Sequence, residues 1–184
     1  MRKLLFIWLV GVLVFLFESC SESRQVKYVF YFIGDGMGVN QVNGTEMYLA
    51  ERDNVIGVKG LNFASFPVRN YATTYSSYHG VTCSAAAGTA LATGEKTKDG
   101  TIGMDKEQKE PLYSVAVRAK EAGRKVGIIT SVGMNHATPA AFYGHQPRRT
   151  MYFELGKDAI EAGFDLYGGG GIIQSVSERF HESF

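Results

Sequence analysis

Cysteine is nearly absent, at two residues in 184, so a disulfide scaffold is excluded. An excess of one charge is missing too. Nineteen Lys and Arg stand against 18 Asp and Glu, and a net charge of +1 gives no electrostatic footprint for nucleic acid. No nucleic-acid partner is therefore expected. Proline is scarce at four, and the 22 glycines follow no three-residue period, which excludes collagen-like and low-complexity chains. No apolar run is long enough for a spanning helix, which needs about 20 residues. What is present is 45% hydrophobic and 12% aromatic residues, enough to bury a core and too many for wholesale disorder. The length fits one domain, or part of a larger one.

The first residues read as an address. Arg2 and Lys3 precede an apolar run, Leu4 to Phe17, broken only by Gly11. Its length suits the core of an export signal, so residues 1–19 are expected to be a signal peptide. Cys20 follows at once and resembles the cleavage site of a bacterial lipoprotein, where the cysteine is lipidated and becomes the new N-terminus. Phe17 and Glu18 depart from the small or aliphatic residues usual before that cysteine, and ordinary secretion with cleavage nearby is the alternative. The expected location is the periplasm or the outer membrane of a bacterium, with the lipid on Cys20 as the membrane contact and residues 20–25 as a polar tether. Cleavage removes Arg2, Lys3 and Glu18, two positive charges and one negative, and leaves the mature chain neutral. With Cys20 lipidated, Cys83 is the remaining thiol.

Beyond the tether, strand-like and helix-like segments alternate. Val26 to Ile33 is apolar, β-branched and aromatic, which predicts a strand buried on both faces. It ends in Gly34-Asp35-Gly36-Met37-Gly38, and a helix is predicted over 39–52. Further strands are predicted over 66–74, 125–130 and 165–167. Further helices are predicted over 82–93, 112–122, 137–143 and 149–162, three of them stopped by Gly94, Gly123 and Gly163. The expected fold is α/β, a mainly parallel sheet with helices on both faces. The last thirteen residues supply no closing strand, so the fold is expected to be incomplete at the C-terminus. Ligands in such sheets bind at the carboxyl ends of the strands.

Four places could carry chemistry. Ser84 opens an alanine-rich segment; it either caps a helix, as Thr82 also could, or stands as a nucleophile where free N–H groups favour an anion. The esterase pattern G-x-S-x-G is absent, since Thr82 and Ala86 flank it. Asp35, between two glycines at a predicted strand end, is either a helix cap or a ligand for a hard cation. The glycines lack the G-x-G-x-x-G spacing of a dinucleotide site. His136 and Thr138 follow the strand over 125–130 and could converge on one metal. Arg149 has the planar fork suited to a phosphate or carboxylate; a surface arginine beside Arg148 is the plain alternative.

Singly these signals are weak, but their order is distinctive. Tyr31-Phe-Ile-Gly-Asp35-Gly-Met-Gly38, Val81-Thr-Cys-Ser84-Ala-Ala-Ala-Gly-Thr-Ala-Leu-Ala-Thr-Gly-Glu-Lys96, Gly100-Thr-Ile-Gly-Met-Asp105 and His136-Ala-Thr138-Pro-Ala-Ala, with Arg149 eleven residues after Thr138, together resemble the N-terminal part of an alkaline phosphatase. The resemblance covers residues 26 to 171. It implies zinc and magnesium as cofactors, Asp35 as a ligand bridging the second zinc and the magnesium, and Ser84 as a zinc-bound nucleophile that becomes phosphorylated. It implies Thr138 as a magnesium ligand, His136 at or beside that site, and Arg149 as the group holding the phosphate oxygens. The substrates implied are small phosphomonoesters, over a broad range because the leaving group is barely contacted. A homodimer is implied for the full-length protein. Two positions depart from the pattern. Cys83 stands where many members have an aspartate that orients the arginine, and His136 stands where some have aspartate.

The family's remaining ligands, an Asp-x-x-x-His pair and an Asp-His dipeptide among them, do not occur in this sequence, and His181 fits neither. The expectation is a front portion of a longer enzyme, inactive alone. The rival reading is a short lipoprotein that binds phosphate or metal without catalysis. A sulfatase is argued against by Ala86 and Gly88, which stand where Pro and Arg would follow the nucleophile; a phosphodiesterase remains an alternative.

Overall fold

The structure, a computed structural model, describes residues 26–173. The expected signal peptide, Cys20, the tether and His181 lie outside the described residues. The chain divides into two units, Met1–Ile33 and Gly34–Phe184.

Of the first unit, Val26–Ile33 is described. It is not the predicted strand. No β-ladder among the described residues includes it, and its large apolar side chains up to Phe32 are exposed, with Phe30 and Phe32 stacked at 6.4 Å between ring centroids. A β-rich composition supplies side chains for a sheet, but a strand exists only when a neighbour takes its N–H and C=O groups.

In the second unit the elements run α1 (Val39–Arg52), a 3-10 turn (Asn62–Ser65), α2 (Ser84–Thr93), α3 (Val115–Glu121), β1 (Gly127–Ile129), α4 (Ala137–Ala140), α5 (Tyr152–Glu161) and β2 (Leu166–Gly168). All five predicted helices are present, most of them shorter than expected. The strands over 125–130 and 165–167 appear as β1 and β2, paired in parallel with Gly127 opposite Leu166 and Ile129 opposite Gly168. The predicted strand over 66–74 is absent. Phe66, Val68 and Tyr71 are exposed and unpaired, and the sheet among the described residues has two strands.

Local chemistry sets the helix limits. Ser114 caps α3 by accepting the Val117 N–H at 3.1 Å, and its own hydroxyl donates to the Phe142 carbonyl at 2.5 Å. Gly94 ends α2 in the left-handed conformation, φ +84°, where a side chain would be strained. Asp165 fixes the entry to β2. It accepts the Val126 N–H at 2.9 Å and pairs with Lys120 at 2.9 Å and Lys125 at 2.8 Å.

The core lies between α2, α4, α5 and the sheet. Ala85, Ile102, Ala137, Ala140, Tyr143, Leu155 and Phe164 form it, with Val126, Ile128 and Tyr167 packed alongside. Burying a leucine-sized side chain stabilises by about 1.5–3 kcal/mol, so a few such residues hold the unit. Gly88 lets α2 approach α4 closely: a side chain there would meet the Ala141 Cβ at 3.0 Å and the Thr138 Cα at 3.5 Å.

Candidate active site

Asp35 sits in a tight turn closed by the Met37 N–H donating to the Gly34 carbonyl at 3.1 Å. Gly36 takes φ +71°, a conformation that suits glycine and lifts Asp35 to the surface ahead of α1. Asp35 does not cap α1. The Gly38 N–H at the head of that helix is taken by Gln41 Oε1 at 3.0 Å.

Ser84 is the first residue of α2, and Cys83 is the capping position, with no side chain serving the helix start. Neither Thr82 nor Ser84 acts as the cap. The Thr82 hydroxyl turns to the Cys83 carbonyl at 3.3 Å, and the Ser84 hydroxyl donates to Asp35 Oδ1 at 3.2 Å. The first-turn N–H groups of a helix carry partial positive charge, so this end of α2 favours an anion.

Thr138 lies in α4, after β1 and a short loop. Its hydroxyl donates to Asp35 Oδ2 at 2.8 Å. One carboxylate thus receives two hydroxyls, from residues 49 and 103 positions away in sequence. The loop that carries α4 is anchored by the glycine run after β2. The Gly170 N–H donates to the Val132 carbonyl at 2.8 Å, and the Met134 N–H to the Gly171 carbonyl at 2.8 Å. A side chain at Gly169 would strike Thr130, Val132 and Met134, so the run is there for close approach. Asn135, buried, bonds to the Tyr152 carbonyl at 2.9 Å and to both backbone groups of Ile173 at 2.8 Å.

His136 heads α4 and meets Arg149 instead of Asp35: Nε2 lies 3.3 Å from Arg149 Nη2. An arginine can only donate, so Nε2 accepts and the imidazole is neutral, with its proton on Nδ1. Burial, and then the Arg149 charge, hold its pKa below the ordinary histidine value, against the opposing pull of Asp35. Nδ1 itself is buried without a partner. Arg149 is half-buried and its N–H donates to the Gly100 carbonyl at 2.7 Å, whereas Arg148 is exposed. The structure therefore brings the sequence-predicted residues into two sets: Asp35 with Ser84 and Thr138, and His136 with Arg149.

The first set is all oxygen, the donor chemistry of a hard cation such as magnesium. Zinc prefers nitrogen and sulfur and usually takes three protein ligands. Among the described residues no three His, Cys, Asp or Glu side chains cluster to hold a metal. These residues fit magnesium in part and do not make a zinc site.

Sequence reasoning missed two further groups beside the serine. Asp99 Oδ1 accepts the Cys83 N–H at 3.2 Å, and Asp99 Oδ2 lies 2.6 Å from His79 Nδ1. Neither residue belongs to a motif with a recognisable spacing. The adjacency of Lys98-Asp99-Gly100 to the matched Gly100–Asp105 segment was the one available hint.

The structure thus sets a serine at a helix start against a carboxylate on a glycine turn, with the arginine held apart by a histidine. The alkaline phosphatase family profile matches residues 26–168. Alkaline phosphatase of Gadus morhua is 35% identical over 154 residues, covering 77% of this chain and 32% of that protein. Alkaline phosphatase 4 of Bacillus subtilis is 35% identical over 134 residues, covering 70% and 28%. Among solved structures, a variant of the TAB5 alkaline phosphatase with Mg bound in its M3 site superposes at TM-score 0.66 with 31% identity, over 76% of this chain and 38% of that one. The cold-active enzyme of Shewanella sp. gives TM-score 0.65 and 31% identity, over 82% and 37%. The chain belongs to the alkaline phosphatase family, and it spans about a third of the length of the curated relatives it matches.

Proposed function

We propose that this chain carries the nucleophile and part of the phosphate- and magnesium-binding groups of a phosphomonoester hydrolase. The observation that carries the reading is the Ser84 hydroxyl, at the uncapped start of α2, hydrogen-bonded to Asp35, whose second oxygen is held by Thr138.

Asp35 Oδ1 holds the hydroxyl proton and so aims the Ser84 lone pairs away from the carboxylate. In the transfer the Ser84 Oγ–phosphorus bond forms as the bond from phosphorus to the ester oxygen breaks; the hydroxyl proton leaves by way of Asp35 Oδ1, and the departing ester oxygen takes a proton from water. The first-turn N–H groups of α2 stabilise charge on the equatorial oxygens, and Arg149 holds those oxygens by its planar fork. His136, neutral, accepts from the Arg149 guanidinium and so orients it. Hydrolysis of the phosphoserine then frees Ser84 and releases phosphate. Asp35 and Thr138 would hold magnesium, which when bound supplies positive charge beside the reacting oxygens. The Mg bound in the M3 site of a TAB5 variant supports that assignment. Zinc, which the family uses, needs ligands beyond these residues. On this reading the 184-residue chain by itself is inactive, and the active protein carries the further ligands. Export as a lipoprotein through Cys20, and dimerisation, are further parts of the reading.

The test is turnover of p-nitrophenyl phosphate by the full-length protein. Ser84→Ala is expected to reduce kcat at least about a thousandfold, as removal of a nucleophile does. Arg149→Lys is expected to cost about tenfold in kcat/KM, the loss of a bidentate clamp. A Ser84→Ala protein with wild-type kcat would overturn the reading. Turnover by the purified 184-residue chain would overturn its inactivity.

A further inference from the structure

Asp99 lies outside the residues assigned so far, yet both of its carboxylate oxygens are committed. One accepts the Cys83 N–H and the other meets His79, at the distances given above. Gly100, the next residue, donates its N–H to Cys83 Sγ at 3.1 Å, and its carbonyl accepts the Arg149 N–H at 2.7 Å. Two consecutive residues therefore grip the residue before Ser84 and the backbone of Arg149. Cys83 is the capping position of α2, and its carbonyl already accepts the Ala87 N–H at 2.9 Å. Its N–H and sulfur are the handles left for Asp99 and Gly100.

His79 is presented deliberately. Buried Ser76 closes the turn before it: Ser76 Oγ accepts the His79 N–H at 3.0 Å and the Tyr78 N–H at 3.3 Å, and the Ser76 N–H donates to the His79 carbonyl at 3.0 Å. The His79 side chain is 67% exposed and that of Asp99 25%. An imidazole this exposed does nothing for the core, and its one polar contact among the described residues is the carboxylate. Partial burial pushes the Asp99 carboxyl up, but the bonds from Cys83, His79 and Ser76 outweigh it and hold the group below the usual carboxylate range. Cys83 brings no carboxylate of its own to the arginine.

We propose that Asp99 is a positioning residue for the phosphoryl-transfer site: oriented by His79, it fixes the start of the Ser84 helix and, through Gly100, the backbone of Arg149, so that nucleophile and phosphate clamp are held as one piece. The proposal rests on the phosphatase reading above. Positioning of this kind matters because a shift of about 1 Å between reacting groups costs on the order of a hundredfold in rate.

The test uses the full-length protein with p-nitrophenyl phosphate as substrate and inorganic phosphate as inhibitor. Asp99→Ala is expected to lower kcat/KM about tenfold or more and to weaken phosphate inhibition about tenfold, the size of a lost bond to a charged acceptor. Asp99→Asn keeps an acceptor for the Cys83 N–H and is expected to recover most of that loss. His79→Gln, at an exposed position, is expected to weaken phosphate inhibition about threefold, as loss of one exposed hydrogen bond would. A purely structural role would lower Tm and leave the phosphate inhibition constant unchanged. If Asp99→Ala does not fold, the phosphate inhibition of His79→Gln decides. Wild-type kcat/KM and phosphate inhibition in His79→Gln and, where it folds, in Asp99→Ala, alongside an inactive Ser84→Ala, would overturn the positioning role alone. A fully active Ser84→Ala would overturn the functional reading on which it stands.

Discussion

Residues 26–75 and residues 84–168 are both rich in apolar side chains, yet the buried core lies almost wholly in the second stretch. Leu155 and Ile102 are 0% exposed, while Phe32 is 89% and Val68 86% exposed. The difference is not composition. In 84–168, α2 and α4 pack on one another although α3 and β1 lie between them in sequence, and α5 lends Leu155 to the same core. Their helices satisfy their own backbones first and then need only side-chain partners. In 26–75, outside α1, the apolar runs are of the strand type, and a strand cannot satisfy its backbone by itself. The lesson is that hydrophobic pattern alone buries nothing until the hydrogen-bonding partner is also present.

The sharpest way to break this comparison is a pair of truncations in the 184-residue chain. Leu155→Ala should cost about 2–5 kcal/mol in urea unfolding, since it opens a cavity in the core. Phe32→Ala should cost less than about 0.5 kcal/mol, as surface substitutions do. Equal costs would mean that the two stretches are not different in kind. A smaller effect is expected at the contact that joins Ser84 to Thr138. Gly88→Val pushes against Ala141 and the Thr138 backbone and should cost about 1–3 kcal/mol by overpacking. A wild-type melt would mean that α2 and α4 are not tightly apposed. The smallest effect concerns Asp165. Its carboxyl is held well below the usual range by Lys125, then by the Val126 N–H and Lys120. A depressed folded pKa contributes stability that is present above the ordinary value of 3.8 and is lost as pH falls through the folded value. Melting temperatures of the wild type should therefore drop more steeply below about pH 4 than those of Asp165→Asn. Parallel curves would remove Asp165 from the account.

What the sequence made legible follows the same division. The helix at Ser84–Thr93 could be read because its signals are local: a run of alanines and a glycine stop at Gly94. The pair β1 and β2 was readable from short β-branched and aromatic runs bounded by glycine and polar residues. The runs Val26–Ile33 and Phe66–Thr74 gave the same kind of signal and carry no strand, because pairing is a property of two segments. The site divides likewise. Ser84, Asp35, Thr138, His136 and Arg149 were named through ordered motifs, and no spacing could have foretold that Asp35 receives hydroxyls from 49 and 103 residues away. The pairing of His136 with Arg149, away from Asp35, was equally invisible. Asp99 and His79 lay outside every motif, since their role depends on a backbone N–H at Cys83 that any residue would offer.

The central claim is that Ser84 is the nucleophile. It is tested most directly by incubating the full-length protein with inorganic phosphate at mildly acidic pH, quenching in acid, and mapping phosphorylated peptides by mass spectrometry. The account predicts stoichiometric phosphate on the peptide containing Cys83-Ser84, at Ser84, and none in Ser84→Ala. Phosphate on another residue, or full turnover by a protein that never carries phosphate at Ser84, would contradict it.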